Sequence, residues 1–210
     1  MYNPPAFRED DRATLHAAIR ACDLATLVSQ GDDLPEITHL PLLLEPGEPD
    51  RILGHLAKAN PQIGALRRRP RAIAVFRGAD AYVTPSWYAT KQQIGKVVPT
   101  WTYVAVHAVG TVELVEEADR LRALVDRLTR HHEGRREHGW AVDDAPEPFI
   151  QAQLRGIVGV VLSVERLIGK WKMSQNRPEA DRAGVIDGLH ERGHGADREV
   201  ARLVGRSRSG

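Results

Sequence analysis

The apolar positions along the chain change period several times, and each change marks an element. From Trp101 to Val115 they alternate. Thr102, Val104, Val106, Ala108, Gly110, Val112 and Leu114 fall on one side, and Trp101, Tyr103, Ala105, His107, Val109, Thr111 and Glu113 on the other. Successive strand side chains point to opposite faces, so this stretch predicts one long strand with an aliphatic face for a core. The other face is aromatic and polar near its start and suits contact with something other than core. Shorter strands are predicted over 25–29, 37–45 and 51–57, a strand pair over 71–78 and 80–85 with a tight turn at Gly78, and a last long strand over 156–169.

Three–four spacing appears at Leu15, Ala18, Ile19 and Cys22, which predicts a helix capped by Asp10 or Asp11 with Cys22 in the core. It recurs at Leu121, Leu124, Val125 and Leu128, in a helix over 118–132. A short helix is predicted from Pro61 to the run Arg67, Arg68 and Arg69, where Pro70 stops it. Two more are expected over 148–154 and 178–189. Residues 191–210, ending GRSRSG, lack periodicity and predict a disordered basic tail after a single domain over 1–190.

The strands follow one another too closely for parallel crossovers, which need about a dozen residues. The fold class is therefore mainly β with added helices, an antiparallel sheet whose short strands and Gly/Pro turns suit a small barrel. Composition agrees: 42% hydrophobic and 27% charged residues describe an ordinary globular chain. A formal net charge of +1 supplies no overall basic field for nucleic acid, though a local patch could still serve. Cys22 is the only cysteine, which excludes an intrachain disulfide and a cysteine-based metal site. The opening MYNPPAFREDDR has no apolar run, and no stretch reaches the roughly 20 apolar residues of a membrane span, so the expected compartment is the cytoplasm.

Candidate chemistry gathers in three places. The loop SWYATKQQIGKVVPTW sets Trp87, Tyr88 and Trp101 beside Lys91 and Lys96. Planar side chains next to cations suit a flat anionic ligand, and equally a dimer interface. In GHLAKANP, His55, Lys58 and Asn60 stand at the exit of a strand, where the helix from Pro61 presents free N–H groups. That is either a phosphate seat or a strand-to-helix turn with incidental polarity. In KWKMSQNRP, Lys170, Lys172, Ser174, Gln175, Asn176 and Arg177 form a dense set of donors, or a basic surface edge. His131, His132 and His138 with Asp143 and Asp144 match no metal-ligand spacing and read as a solvated loop. No Gly-rich phosphate loop, GxSxG or HExxH motif occurs, and no residue stands out as a catalytic acid or base.

Three segments together, LGHLAKANPQ, AYVTPSWYATKQQIGKVVPTWTYVAVHAVG and GKWKMSQNRPEADRAGVIDGL, with the opening MYNPPAFREDDRATLHAAIRACDLATLVS, resemble the PaiB-type FMN-binding negative transcriptional regulators of bacteria. The resemblance runs from Met1 to about Leu189. It implies an FMN-binding split barrel built as a cytoplasmic homodimer, with the flavin at the dimer interface. Carried over by position, it points to His55, Lys58 and Asn60 for the phosphate. It points to Lys96, Thr100, Trp101, Thr102 and Tyr103 along the flavin-lining strand, and to Lys172, Ser174, Gln175 and Asn176 in a closing segment. Haem is the alternative ligand, with His55 or His107 to bind it. The implied role is negative transcriptional regulation, with DNA as an open partner. The alternatives are an FMN-dependent oxidoreductase or flavin reductase acting on a small molecule, and a flavin or haem sensor without turnover.

Overall fold

The computed structural model describes residues 1–207. In chain order its elements are β1 (Arg8–Glu9), α1 (Arg12–Arg20), β2 (Ala25–Ser29), β3 (Glu36–Leu40), β4 (Leu43–Glu45), β5 (Arg51–Ala57) and α2 (Pro61–Arg68). There follow β6 (Arg71–Val83), α3 (Ala89–Ile94), β7 (Thr100–Val115), α4 (Ala118–Glu133), α5 (Glu147–Leu154), β8 (Ile157–Lys172), α6 (Glu179–Arg192) and α7 (Asp197–Arg206). The strands form an antiparallel sheet in the order β3-β2-β6-β7-β8-β5-β4, with β1 paired to β8.

The alternation in β7 is expressed as predicted from Thr102 to Val112. Val104, Val106, Ala108 and Val112 are buried, while Trp101, Thr111 and Glu113 are exposed. Near the strand's end the pattern slips, and Val115 is buried while Leu114 is only partly so. Pro41 lacks an N–H for the ladder, so the strand expected over 37–45 is two strands, β3 and β4. Gly78 makes no turn. β6 runs straight through it, and a Cβ there would stand 2.9 Å from Cβ of Val104. The glycine serves a close approach between strands, so the expected strand pair is one long strand.

The chain divides into two compact units that share β6, β7 and β8. One unit holds His16–Phe76 and His107–Leu167. Its sheet pairs Val28 with Ile37 on β3 and Ile73 on β6. The predicted stripe of α4 packs Leu121, Leu124 and Leu128 against Leu53, Leu154 and Val161. Leu124 is 1% exposed, a burial worth on the order of 2 kcal/mol. Cys22, expected in the core, is only partly buried, and its Sγ donates to the Leu24 carbonyl at 3.3 Å. The helix ends at Arg20, which carries Cys22 off the buried stripe.

The other unit holds Met1–Leu15, Arg77–Val106 and the chain from Ile168 onward. The stretch expected to be a disordered tail forms α7 instead; residues 208–210 of that tail lie outside the described residues. Val200, Ala201 and Val204 make a narrow stripe that α6 covers with Val185 and Leu189. A helix this short is stabilised by packing rather than by its own propensity, which is why a local reading misses it. Arg192 grips the buried Asp197 through two bonds, of 2.7 and 2.6 Å. α6 also holds the segment before α3. A Cβ on Gly188 would come within 2.2 Å of the Trp87 ring, so only glycine admits that indole.

Candidate functional site

The second unit contains a pocket of about 80 Å³, lined by Tyr88, Val98, Thr100, Thr102, Lys172, Ser174, Asn176 and Arg177. Three pieces of chain build it. The start of β7 places Thr100 and Thr102 two residues apart on one face. The end of β8 carries Lys172 toward them, and its Nζ donates to Thr100 Oγ1 at 2.5 Å. The chain then turns at Ser174, whose φ of 59° is uncommon for a residue with a side chain. That turn brings Asn176 and Arg177 back to the rim. A turn of 3-10 helix over Pro85–Trp87 delivers Tyr88 from the other side, and the Arg177 guanidinium lies 4.5 Å from its ring centroid.

Cations dominate the pocket. Among the described residues, Lys172 and Arg177 have no carboxylate partner, and neither does the adjacent Lys170. Lys170 is 6% exposed; its Nζ donates to the Tyr2 carbonyl at 3.0 Å and lies 5.2 Å from the Tyr103 ring centroid. Burial is the main reason that the Lys172 ammonium sits below its ordinary pKa, and the Lys170 charge adds to it. An anion entering the pocket would relieve both effects. Tyr88, 1% exposed, has a hydroxyl that meets no group of hydrogen-bond geometry. Burial raises its pKa, with the Arg177 charge opposing, so the phenol stays a donor through the neutral range. A volume of about 80 Å³ suits a phosphate-sized group, whereas sites for whole drug-sized ligands run from roughly 300 Å³ upward.

Of the predicted positions, Thr100, Thr102, Lys172, Ser174 and Asn176 line this pocket together. Tyr103 is half-buried beside Lys170. Gln175 turns back on its own chain, accepting from Met173 N at 2.7 Å and donating to the Trp171 carbonyl at 2.6 Å. Lys91 donates to Ser86 at 3.2 Å, and Lys96 is exposed; neither lines the pocket. Trp101 is half exposed, its indole N–H held by Asp80 at 3.0 Å and its ring 6.1 Å from that of Tyr82. His55, Lys58 and Asn60 belong to the other unit. There Asn60 caps α2, with Oδ1 accepting from Gln62 N at 2.9 Å and Nδ2 donating to Thr38 Oγ1 at 3.0 Å. Lys58 is exposed, and desolvation lowers the pKa of His55 and is the main cause of the lowering at His107. Tyr88, Val98 and Arg177 were not among the expected ligands. Tyr88 and Arg177 stand inside the two donor-rich segments, so their composition was visible; their inward direction was not.

An antiparallel sheet with late helices, and a cluster of cations and hydroxyls ready for an anion, describes a flavin-binding split barrel. The architecture is similar to that of the FAD and heme binding protein from Mycobacterium smegmatis, with a TM-score of 0.60 and 18% identity over 79% of this chain and 73% of that one. The family described as "Putative FMN-binding domain" matches residues 1–166, and the chain belongs to it as a PaiB-type protein, with FMN as the cofactor. The Bacillus subtilis protease synthase and sporulation protein PAI 2 is 29% identical over 97% of this chain and 96% of its own length. An uncharacterized protein of Aspergillus fumigatus is 37% identical over 74% of this chain and 72% of its own. The family match ends before Lys172, so four of the eight pocket residues come from the chain beyond it. The donor set fits the cofactor: two cations, three hydroxyls beside the Tyr88 phenol and an amide suit a phosphate monoester. Among the described residues no helix is long and apolar enough to cross a membrane, and no three His, Cys, Asp or Glu side chains gather as a metal site.

Proposed function

We propose that this protein binds FMN as a homodimer, seats the flavin phosphate among Lys172, Ser174, Thr100 and Arg177, and acts as a negative transcriptional regulator. The observation that carries the flavin part is the pocket itself, where unpaired cations surround a buried hydroxyl with no partner. FMN supplies a redox-active ring when bound; the chain's residues bind its anionic end and orient it. The half-exposed Trp101 and Tyr82 offer an aromatic surface of the kind that dimer interfaces favour. The regulatory role is supported by family membership and by the sporulation protein among the relatives.

One feature of the surface favours a second reading, a flavin-dependent oxidoreductase acting on a small molecule. The arginines of α4 were the natural candidates for a nucleic-acid face, and each is engaged by a carboxylate. Arg120 meets Glu113 at 2.7 Å, Arg122 meets Glu147 and Asp143, Arg127 meets Glu45 at 2.6 Å, and Arg130 pairs with Asp126. Phosphate contacts by these residues would have to displace those partners.

The test has two arms on the full chain. Incubation with FMN followed by desalting should leave flavin absorbance at one flavin per protomer, and sedimentation should give a dimer. A gel shift on the DNA upstream of the protein's own coding sequence should then show a salt-sensitive complex beyond that on random DNA. No shift together with NAD(P)H-driven bleaching of the flavin would replace regulation by the oxidoreductase reading. A colourless protein that cannot be loaded would remove both.

A further inference from the structure

The Tyr88 hydroxyl is the one polar group of the pocket that is fully buried, belongs to a fixed side chain and has no partner. Its position is held from several sides. Tyr88 N donates to the Pro85 carbonyl at 3.0 Å. Two residues on, both the N–H and the hydroxyl of Thr90 donate to Asp181 Oδ1 at 2.8 Å, which ties the start of α3 to α6. Arg177 covers the ring. The phenol therefore cannot easily swing out to find water, and a buried donor without an acceptor destabilises the unliganded protein. Phenylalanine would fill the same space without that liability. What tyrosine adds is a donor aimed into a cavity whose other walls are cationic and hydroxylic, where an anion is the natural acceptor.

We infer that the Tyr88 hydroxyl donates to the charged end of the bound flavin, making Tyr88 a specificity residue that separates FMN from riboflavin. The inference rests on the FMN reading above. Riboflavin lacks the phosphate, so it offers this donor nothing and gains nothing from it.

The test is Tyr88→Phe in the full chain, read by three measurements. Fluorescence titration should show FMN binding weakened about tenfold, a factor in keeping with one lost hydrogen bond to a charged group, and riboflavin binding unchanged. The melting temperature of the ligand-free variant should equal or exceed that of the parent, because an unsatisfied buried group has been removed. Equal weakening of both flavins, unchanged FMN binding, or a melting temperature lowered by several degrees would each overturn the assignment. If the parent chain binds no FMN, the function proposed above fails, and inorganic phosphate becomes the probe. Phosphate that stabilises the parent against heat but not Tyr88→Phe would uphold Tyr88 as the anion contact; phosphate that stabilises both equally, or neither, would overturn it.

Discussion

Two turns in this molecule are built from the same ingredients. At Lys58–Pro61 and at Lys172–Pro178 a strand ends, a lysine and an asparagine follow, and a proline opens a helix. The first turn uses its polar groups internally. Both ends of the Asn60 amide are bonded, α2 is capped, and Asn60 keeps a relaxed φ of −69°. The second leaves them over. α6 has no side-chain cap, Ser174 holds a φ of 59°, Lys172 touches only a threonine hydroxyl, and the Tyr88 phenol beside it has no partner. Polar residues at a turn are structural when every group is partnered within the fold. They become candidates for ligand contact when the fold holds them in place and leaves their bonds unmade.

The largest effect that would separate the two turns is that of Lys172→Met. FMN affinity should fall about 30-fold, close to 2 kcal/mol, with the melting temperature of the ligand-free protein unchanged or higher. A stability loss without an affinity loss would put the Ser174 turn in the same class as the Asn60 turn. The pH dependence sharpens the point. Burial, followed by the Lys170 charge, holds the Lys172 pKa below 10.5 in the unliganded fold. Between that lowered value and 10.5 the unfolded chain binds more protons, so this residue makes stability rise with pH there. FMN binding needs the charged form, so affinity should fall over the same range, and Lys172→Arg should delay the fall. Titrations of FMN from neutral to alkaline pH would read this.

Asn60→Ala should act in the opposite sense. Loss of the cap and of the Thr38 bond should lower unfolding free energy by about 1 kcal/mol in denaturant melts, with FMN affinity unchanged. Ser174→Gly should give a smaller, mixed result. Relief of the left-handed backbone should stabilise the protein by about 0.5 kcal/mol, while the lost hydroxyl weakens FMN a few-fold in the same titration. The smallest effect belongs to Lys58→Met, expected to alter neither the melting temperature nor FMN affinity by a measurable amount. A large affinity loss there would return the phosphate seat to the Asn60 turn.

Much of the fold is legible because burial imposes a period on neighbouring residues. β7, α2 and α4 stand within a residue or two of their predicted ends, and antiparallel pairing followed from connections too short for crossovers. The failures share one cause. Gly78 reads locally as a turn, but the reason for glycine is Val104, 26 positions along the chain. α7 has a stripe too narrow to announce itself, and α6 completes it.

The site divides along the same line. Residue types and spacing pointed to both donor-rich turns, and to Thr100, Thr102, Lys172, Ser174 and Asn176 within the set that the structure draws together. Family resemblance in three segments identified a flavin-binding split barrel, and the sequence comparison places the chain in that family. What the chain's own order of residues determined was the periodic elements and the inventory of donors. Only the tertiary structure decided which donors were left unpaired, that Tyr88 and Arg177 face inward, and that Asn60 and Gln175 are engaged by backbone. The physical reason is that periodicity is a property of residues close in sequence. Unused hydrogen-bonding capacity is set by partners that arrive from distant segments, and is known only once those segments are in place.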